Sequence, residues 1–127
     1  KTEDEISEMA PLTGTGIPDV MVTNYSMLEY MLMRPLEHVF WKKTSDWLKE
    51  ELDPEEEPRR LLFVVDEAHL YQGAMGTEFS QLLNRFLSVL GVGREKIQFI
   101  ITSASLGDKI DEKKTYAANL LSISGTK

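Results

Sequence analysis

The chain has 127 residues, 14 basic and 21 acidic, which gives a formal charge of −7, and it has no cysteine. That length fits one domain of roughly 100–150 residues and excludes a pair of mononucleotide-binding domains with linkers. With 42% apolar and 28% charged residues, the composition is that of a globular domain and not of a disordered tail. Disulfides and thiolate metal sites are excluded as well, and a cysteine-free chain is compatible with a cytoplasmic setting. No apolar run approaches the ~18–20 residues that span a membrane, and the acidic start, Lys1 to Ser7, is unlike a signal peptide.

An acidic chain argues at first against phosphate-rich partners. The distribution of charge weakens that argument. Residues 1–8 carry −3 and residues 46–60 carry −4, and both remaining segments, 9–45 and 61–127, are balanced. The net negative charge is confined to a lead and one surface loop.

In chain order, residues 1–18 read as a polar, turn-rich lead. Asp19-Val-Met-Val-Thr-Asn24 is short and β-branched, which predicts a buried strand. Ser26-Met-Leu-Glu29 has capping-box spacing and opens a Met-rich helix that Pro35 stops. Met27, Met31 and Met33 are expected in the core. Leu36, Val39, Phe40, Trp47 and Leu48 predict a second helix, broken near Ser45 and running to Leu52. Trp41 and Trp47 are expected to anchor helix packing, and His38 to sit on a helix surface. Residues 53–58, Asp-Pro-Glu-Glu-Glu-Pro, form an acidic loop.

Leu61-Leu-Phe-Val-Val65 is apolar without alternation, the pattern of a parallel strand covered on both faces. Met75, Phe79, Leu82, Leu83, Phe86 and Leu90 trace the clearest helix in the chain, and Gly91 is placed to end it. Ile97 to Thr102 predicts another buried strand, and Asp111 to Leu121 a final helix. The last residues, 125–127, read as a frayed end. Strands alternating with helices predict an α/β fold with a mostly parallel sheet and flanking helices.

Three strand ends carry polar residues suited to chemistry. Val64-Val-Asp-Glu-Ala-His69 puts Asp66 and Glu67 at the C-terminal end of an apolar strand, where ligands bind in open α/β sheets. One carboxylate there can hold Mg²⁺ through the metal's waters, and its neighbour can polarise an attacking water. A solvated strand terminus would look the same if the pair stood alone. Thr102-Ser-Ala-Ser105 follows another strand and can hydrogen-bond neighbouring loops, as can a plain Ser-rich turn. Thr23-Asn-Tyr25 can meet a phosphate near a helix start or simply cap the helix.

The three motifs in this order resemble those of superfamily 2 helicases. Asp66-Glu-Ala-His69 resembles the DEAH box, Ser103-Ala-Ser105 resembles the Ser-Ala-Thr motif III, and Asp19 to Leu28 resembles the segment around motif Ib. His69-x-Tyr71-x-Gly73-x-x-Gly76, followed by a helix with Leu82, Leu83 and Arg85, is similar to large Lhr-like and repair- or phage-defence-associated bacterial helicases. The resemblance covers residues 18–124. It implies that Asp66 helps hold Mg²⁺ and that Glu67 activates water for ATP hydrolysis. It also implies that His69, Ser103 and Ser105 couple the nucleotide site to strand movement, and that Thr23 and Asn24 touch a DNA or RNA backbone.

The triphosphate-cradling loop, Gly-x-x-x-x-Gly-Lys-Ser/Thr, does not occur in the sequence. Thr13-Gly-Thr-Gly16 has no lysine and follows no convincing strand. By the resemblance, residues 19–124 are the C-terminal half of a first RecA-like domain, whose N-terminal half and second domain belong to a longer parent. Strands 61–66 and 97–102 are then expected side by side, with 19–24 unpaired or shifted. The isolated chain is expected to be inactive and, with an exposed apolar edge that invites pairing with another chain, to self-associate, swap a segment or fold only marginally. A P-loop ATPase without unwinding activity and a non-catalytic helicase-like binding module remain alternatives.

Overall fold

The computed structural model describes residues 18–53, 55–104 and 110–121. The expected lead with Thr13–Gly16 and the expected frayed end at 125–127 lie outside these residues, as do Pro54 and Ser105. Helices α1 (Tyr25–Met33) and α2 (His38–Lys49) precede a strand-helix-strand unit made of β1 (Leu61–Val65), α3 (Ala74–Leu90) and β2 (Ile97–Ile101), and α4 (Ile110–Leu120) follows. This is a mixed α/β arrangement.

The two strands pair in parallel, with Leu61 opposite Ile97 and Val65 opposite Ile101. Segment 19–24 is not a strand: the chain bends at Asp19–Val20 and has no regular secondary structure from Met21 to Asn24. The buried strand expected there is corrected: Val20 is 78% and Val22 95% exposed, and only Met21 turns inward to the core. β-branched residues favour a strand only where a neighbour supplies hydrogen bonds, and the described sheet holds only two strands.

Helix α1 is capped by Asn24 and not by Ser26. The Asn24 Oδ1 accepts from the Met27 N–H at 2.9 Å, and the Asn24 carbonyl accepts from Leu28. Asn caps as well as Ser, and the helix starts at the earlier of the two. Leu28, Met31 and Leu32 share the buried face. Met27 and Met33 lie on the opposite side and are exposed, so only Met31 of the three methionines belongs to the core.

Arg34 is extended, as the residue before Pro35 must be, and a 3-10 turn leads into α2. α2 is unbroken at Ser45 and ends at Lys49. The Ser45 hydroxyl is buried and donates to the Leu90 carbonyl at 2.6 Å, which ties α2 to the end of α3. Trp41 is buried, stands edge-on to Phe40 and Phe86, and donates from Nε1 to the Met31 carbonyl at 3.0 Å. Trp47 is partly exposed, with the Arg59 guanidinium over its ring, and so is no core anchor. His38 starts α2 on the exposed side, and the described residues of the acidic loop are mostly exposed as well.

α3 is the wall shared by two apolar clusters. Leu82, Phe86, Leu87 and Leu90 pack with α1 and α2, and Phe79 and Leu83 pack with Val65, Ala68, Leu120 and Leu121. Burying each such side chain contributes about 1.5–3 kcal/mol. Gly91 ends α3 in the left-handed conformation, and the Val92 N–H closes onto Leu87. The described residues cover the strands on one face only. Phe63 and Val65 face the helices, whereas Leu62 and Val64 are each 54% exposed. A strand without alternation can have apolar cover on both sides, and the described helices provide it on one.

Replacing Trp41 with Phe keeps most of the ring and removes the bond to Met31. That leaves a buried carbonyl without its partner and is expected to cost about 1–3 kcal/mol. Urea unfolding of the chain measures it, and a loss near zero would show that the bond does not hold α1 to α2.

Candidate functional site at the ends of the strands

The site forms where the two parallel strands end. Beyond Val65 and Ile101 the ladder continues through residue 102. The Thr102 N–H donates to the Val65 carbonyl and the Thr102 carbonyl accepts from the Ala68 N–H, both at 2.9 Å. Between those bonds the segment that continues β1 has room for Asp66 and Glu67.

The Asp66 Oδ1 accepts from the Glu67 N–H at 3.0 Å and from the Thr102 hydroxyl. The Thr102 hydroxyl and then the Glu67 amide hold the Asp66 carboxyl below the usual aspartate value, because both bonds favour the charged form. The Asp66 side chain remains exposed. Glu67 has φ 50° and ψ 42°, in the left-handed region. It is the only non-glycine residue among the described ones to do so. The chain must turn sharply there to bring the Ala68 N–H back to Thr102.

Ala68 is fully buried in the cluster with Phe79 and Leu83, so the turn needs a small residue at that point. A 3-10 turn, Ala68–Leu70, then carries His69. The His69 Nδ1 lies 3.2 Å from the Ser103 Oγ and 3.2 Å from the Glu67 Oε2. Asp66, Glu67, His69, Thr102 and Ser103 therefore form one connected group.

The glycines after His69 have structural reasons. Gly73 adopts φ 58° and ψ −127°, which a side chain would strain. A Cβ on Gly76 would stand 2.9 Å from the Tyr71 carbonyl, so only glycine lets the turn pass this close to the start of α3. The Tyr71 ring stacks on Phe79 at 4.5 Å between centroids. A cleft of about 370 Å³ opens between α3 and α4, and its lining includes Tyr71, Thr77 and Tyr116 but neither Asp66 nor Glu67.

Thr23 and Asn24 form a separate group at the start of α1. The Asn24 Oδ1 is engaged in capping the helix, and the Thr23 hydroxyl reaches the Asn24 carbonyl at 3.5 Å. Ser105 lies outside the described residues. Thr102 belongs to the site more tightly than its place in the hydroxyl run suggested, and Tyr116, whose hydroxyl reaches the Ala68 and Tyr71 carbonyls, carried no sequence signal at all.

No group of three His, Asp or Glu residues able to cage a metal occurs among the described residues. The site still suits Mg²⁺, which takes one or two protein carboxylates and fills its other positions with water and phosphate oxygens. Asp66 offers such a carboxylate, charged and fixed in place. No helix among the described residues is long and apolar enough to cross a membrane.

The pKa of Asp66 gives a direct test of the strand-end geometry. A depressed folded value means a stabilisation that is present above the ordinary aspartate range and is lost as pH falls through the folded value. Thr102→Val removes the larger cause, so an NMR titration should show the Asp66 pKa rising toward normal and the acid sensitivity of folding shrinking. An unmoved pKa would refute the hydroxyl contact.

Comparison with known proteins gives one informative match. Over 109 residues, 86% of the chain, the sequence is 44% identical to the Druantia protein DruE of Escherichia coli (strain UMEA 4076-1). The matched region is 6% of that protein's length. No protein-family model matches the chain, and no solved structure matches it.

Proposed function

We propose that this chain holds the C-terminal half of a first RecA-like ATPase domain, within a much longer DruE-like protein that acts as a helicase or translocase in phage defence. The observation that carries the reading is the hydrogen-bonded union of Asp66-Glu-Ala-His69 with Thr102-Ser103 at the C-terminal ends of adjacent parallel strands. The likeness to DruE over most of the chain supports the assignment to that kind of protein.

The roles follow from position. Asp66 is rigid and charged, and would hold Mg²⁺ mainly through water. Bound Mg²⁺ supplies charge neutralisation on a transferring phosphoryl group. Glu67 stands beside it, with its Oε2 3.2 Å from the His69 Nδ1, and would take a proton from the attacking water. His69 Nδ1 lies between the Glu67 Oε2 and the Ser103 Oγ and joins the two. A shift of the β2 end is felt at the base through that imidazole, which is the coupling a translocase needs. Ser105 would extend that link, and Thr23 and Asn24 would meet a DNA or RNA backbone. The triphosphate cradle, the rest of the sheet and the second RecA-like domain would come from elsewhere in the parent.

In the full-length protein, Glu67→Gln is expected to lower ATP turnover by about 100-fold or more, the scale of a lost general base. Nucleotide affinity should be unchanged, because the amide keeps the shape of the site. Turnover at the wild-type level would remove Glu67 from the mechanism. Turnover that never responds to DNA or RNA would favour an ATPase without strand movement.

A further inference from the structure

We propose that Tyr116 is a positioning residue for the Asp66–His69 turn, holding from α4 the carbonyls that fix where His69 meets Ser103 and Glu67. The inference rests on the reading of this turn as the hydrolytic motif.

The turn is gripped on two sides. On one side Thr102 accepts from the Ala68 N–H. On the other, the Tyr116 hydroxyl lies within reach of the Ala68 carbonyl and 2.8 Å from the Tyr71 carbonyl. A hydroxyl has one proton to donate, so Tyr116 shares it between two acceptors that flank His69 in sequence. The Ala68 carbonyl also takes the Tyr71 N–H at 2.9 Å, which closes the 3-10 turn. Loosening Tyr116 therefore loosens the turn as a whole.

Tyr116 is itself well anchored. It packs against the cluster of Val65, Ala68, Phe79 and Leu83. Its helix is tied to α3 by the Ser80 hydroxyl, which donates to the Leu120 carbonyl at 2.9 Å. Burial raises the Tyr116 pKa, so the hydroxyl stays a donor throughout the neutral range. Both grips on the turn belong to the stretch that runs from the end of β2 into α4. A change in how α4 sits against the β2 end would reach His69 from both sides at once.

The test compares Tyr116→Phe, His69→Ala and the double variant in the full-length protein. Tyr116→Phe keeps the ring and removes only the hydroxyl. It should lower kcat for ATP hydrolysis about 5–10-fold, the equivalent of one lost hydrogen bond, and leave KM for ATP unchanged. In the His69→Ala background it should cause no further fall. Amide hydrogen exchange should rise in the peptide spanning residues 66–72 and stay unchanged in β1 and α3. Additive losses in the double variant would overturn the proposal, as would unchanged exchange at residues 66–72 or a rise that extends into β1 and α3. If the wild-type protein hydrolyses no ATP, the reading of the motif fails, and the exchange measurement alone decides whether Tyr116 holds the turn.

Discussion

Thr102 bridges the ends of the two strands with three hydrogen bonds, to the Val65 carbonyl, the Ala68 N–H and the Asp66 carboxylate. These bonds require the parallel register in which Val65 lies opposite Ile101. An antiparallel pair would send Asp66 and Thr102 to opposite ends of the sheet. A slip of one residue would turn Phe63 and Val65 to the uncovered face and bring a different residue to Asp66. The register is held by packing, since Phe63 and Phe99 meet beneath α3 and Val65 sits in the cluster with Ala68. The polar site thus depends on an apolar alignment.

The helix that follows the site is part of the same device. α3 buries six apolar residues over most of its length, and its first turn is approached so closely by the chain that Gly76 leaves no room for a Cβ. Tyr71 then reaches Phe79 and closes the loop against the helix. The segment between β1 and α3 is therefore pressed between a strand end and a helix start, which is how a short turn can hold an imidazole in place. The described residues of the acidic loop before β1 are mostly exposed and take no part in this.

Much of the order of elements was legible in the sequence, because local signals settled it. The +3 and +4 spacing from Met75 to Leu90 and the glycine after it mark α3 without any knowledge of its neighbours. Burial was less legible, because neighbours decide it. Val20 and Val22 have the composition of a strand but no partner among the described residues. Leu62 and Val64 have the composition of a doubly covered strand, but the described helices lie on one face. At the site, Asp66, Glu67, His69 and Ser103 stood out because polar residues directly after apolar strands are conspicuous. Tyr116 did not, since a tyrosine in a polar helix announces nothing until the fold brings its hydroxyl to another turn.

Glu67 shows why the turn needs so many supports. A left-handed conformation costs a residue with a side chain about 1–2 kcal/mol, and glycine or asparagine would accept it more readily. Glycine would give up the carboxylate. Asparagine would give up its charge and one methylene of reach, and with them the 3.2 Å contact to the His69 Nδ1. Several bonds offset the backbone cost: the Glu67 N–H on Asp66, the Ala68 N–H on Thr102 and the Tyr116 hydroxyl on the carbonyls beyond. Such a conformation persists only where its surroundings over-determine it, and residues of this kind cluster at functional sites. The strained backbone at Glu67 is what sets a carboxylate beside both Asp66 and the His69 imidazole, a placement that an ordinary surface turn would not need.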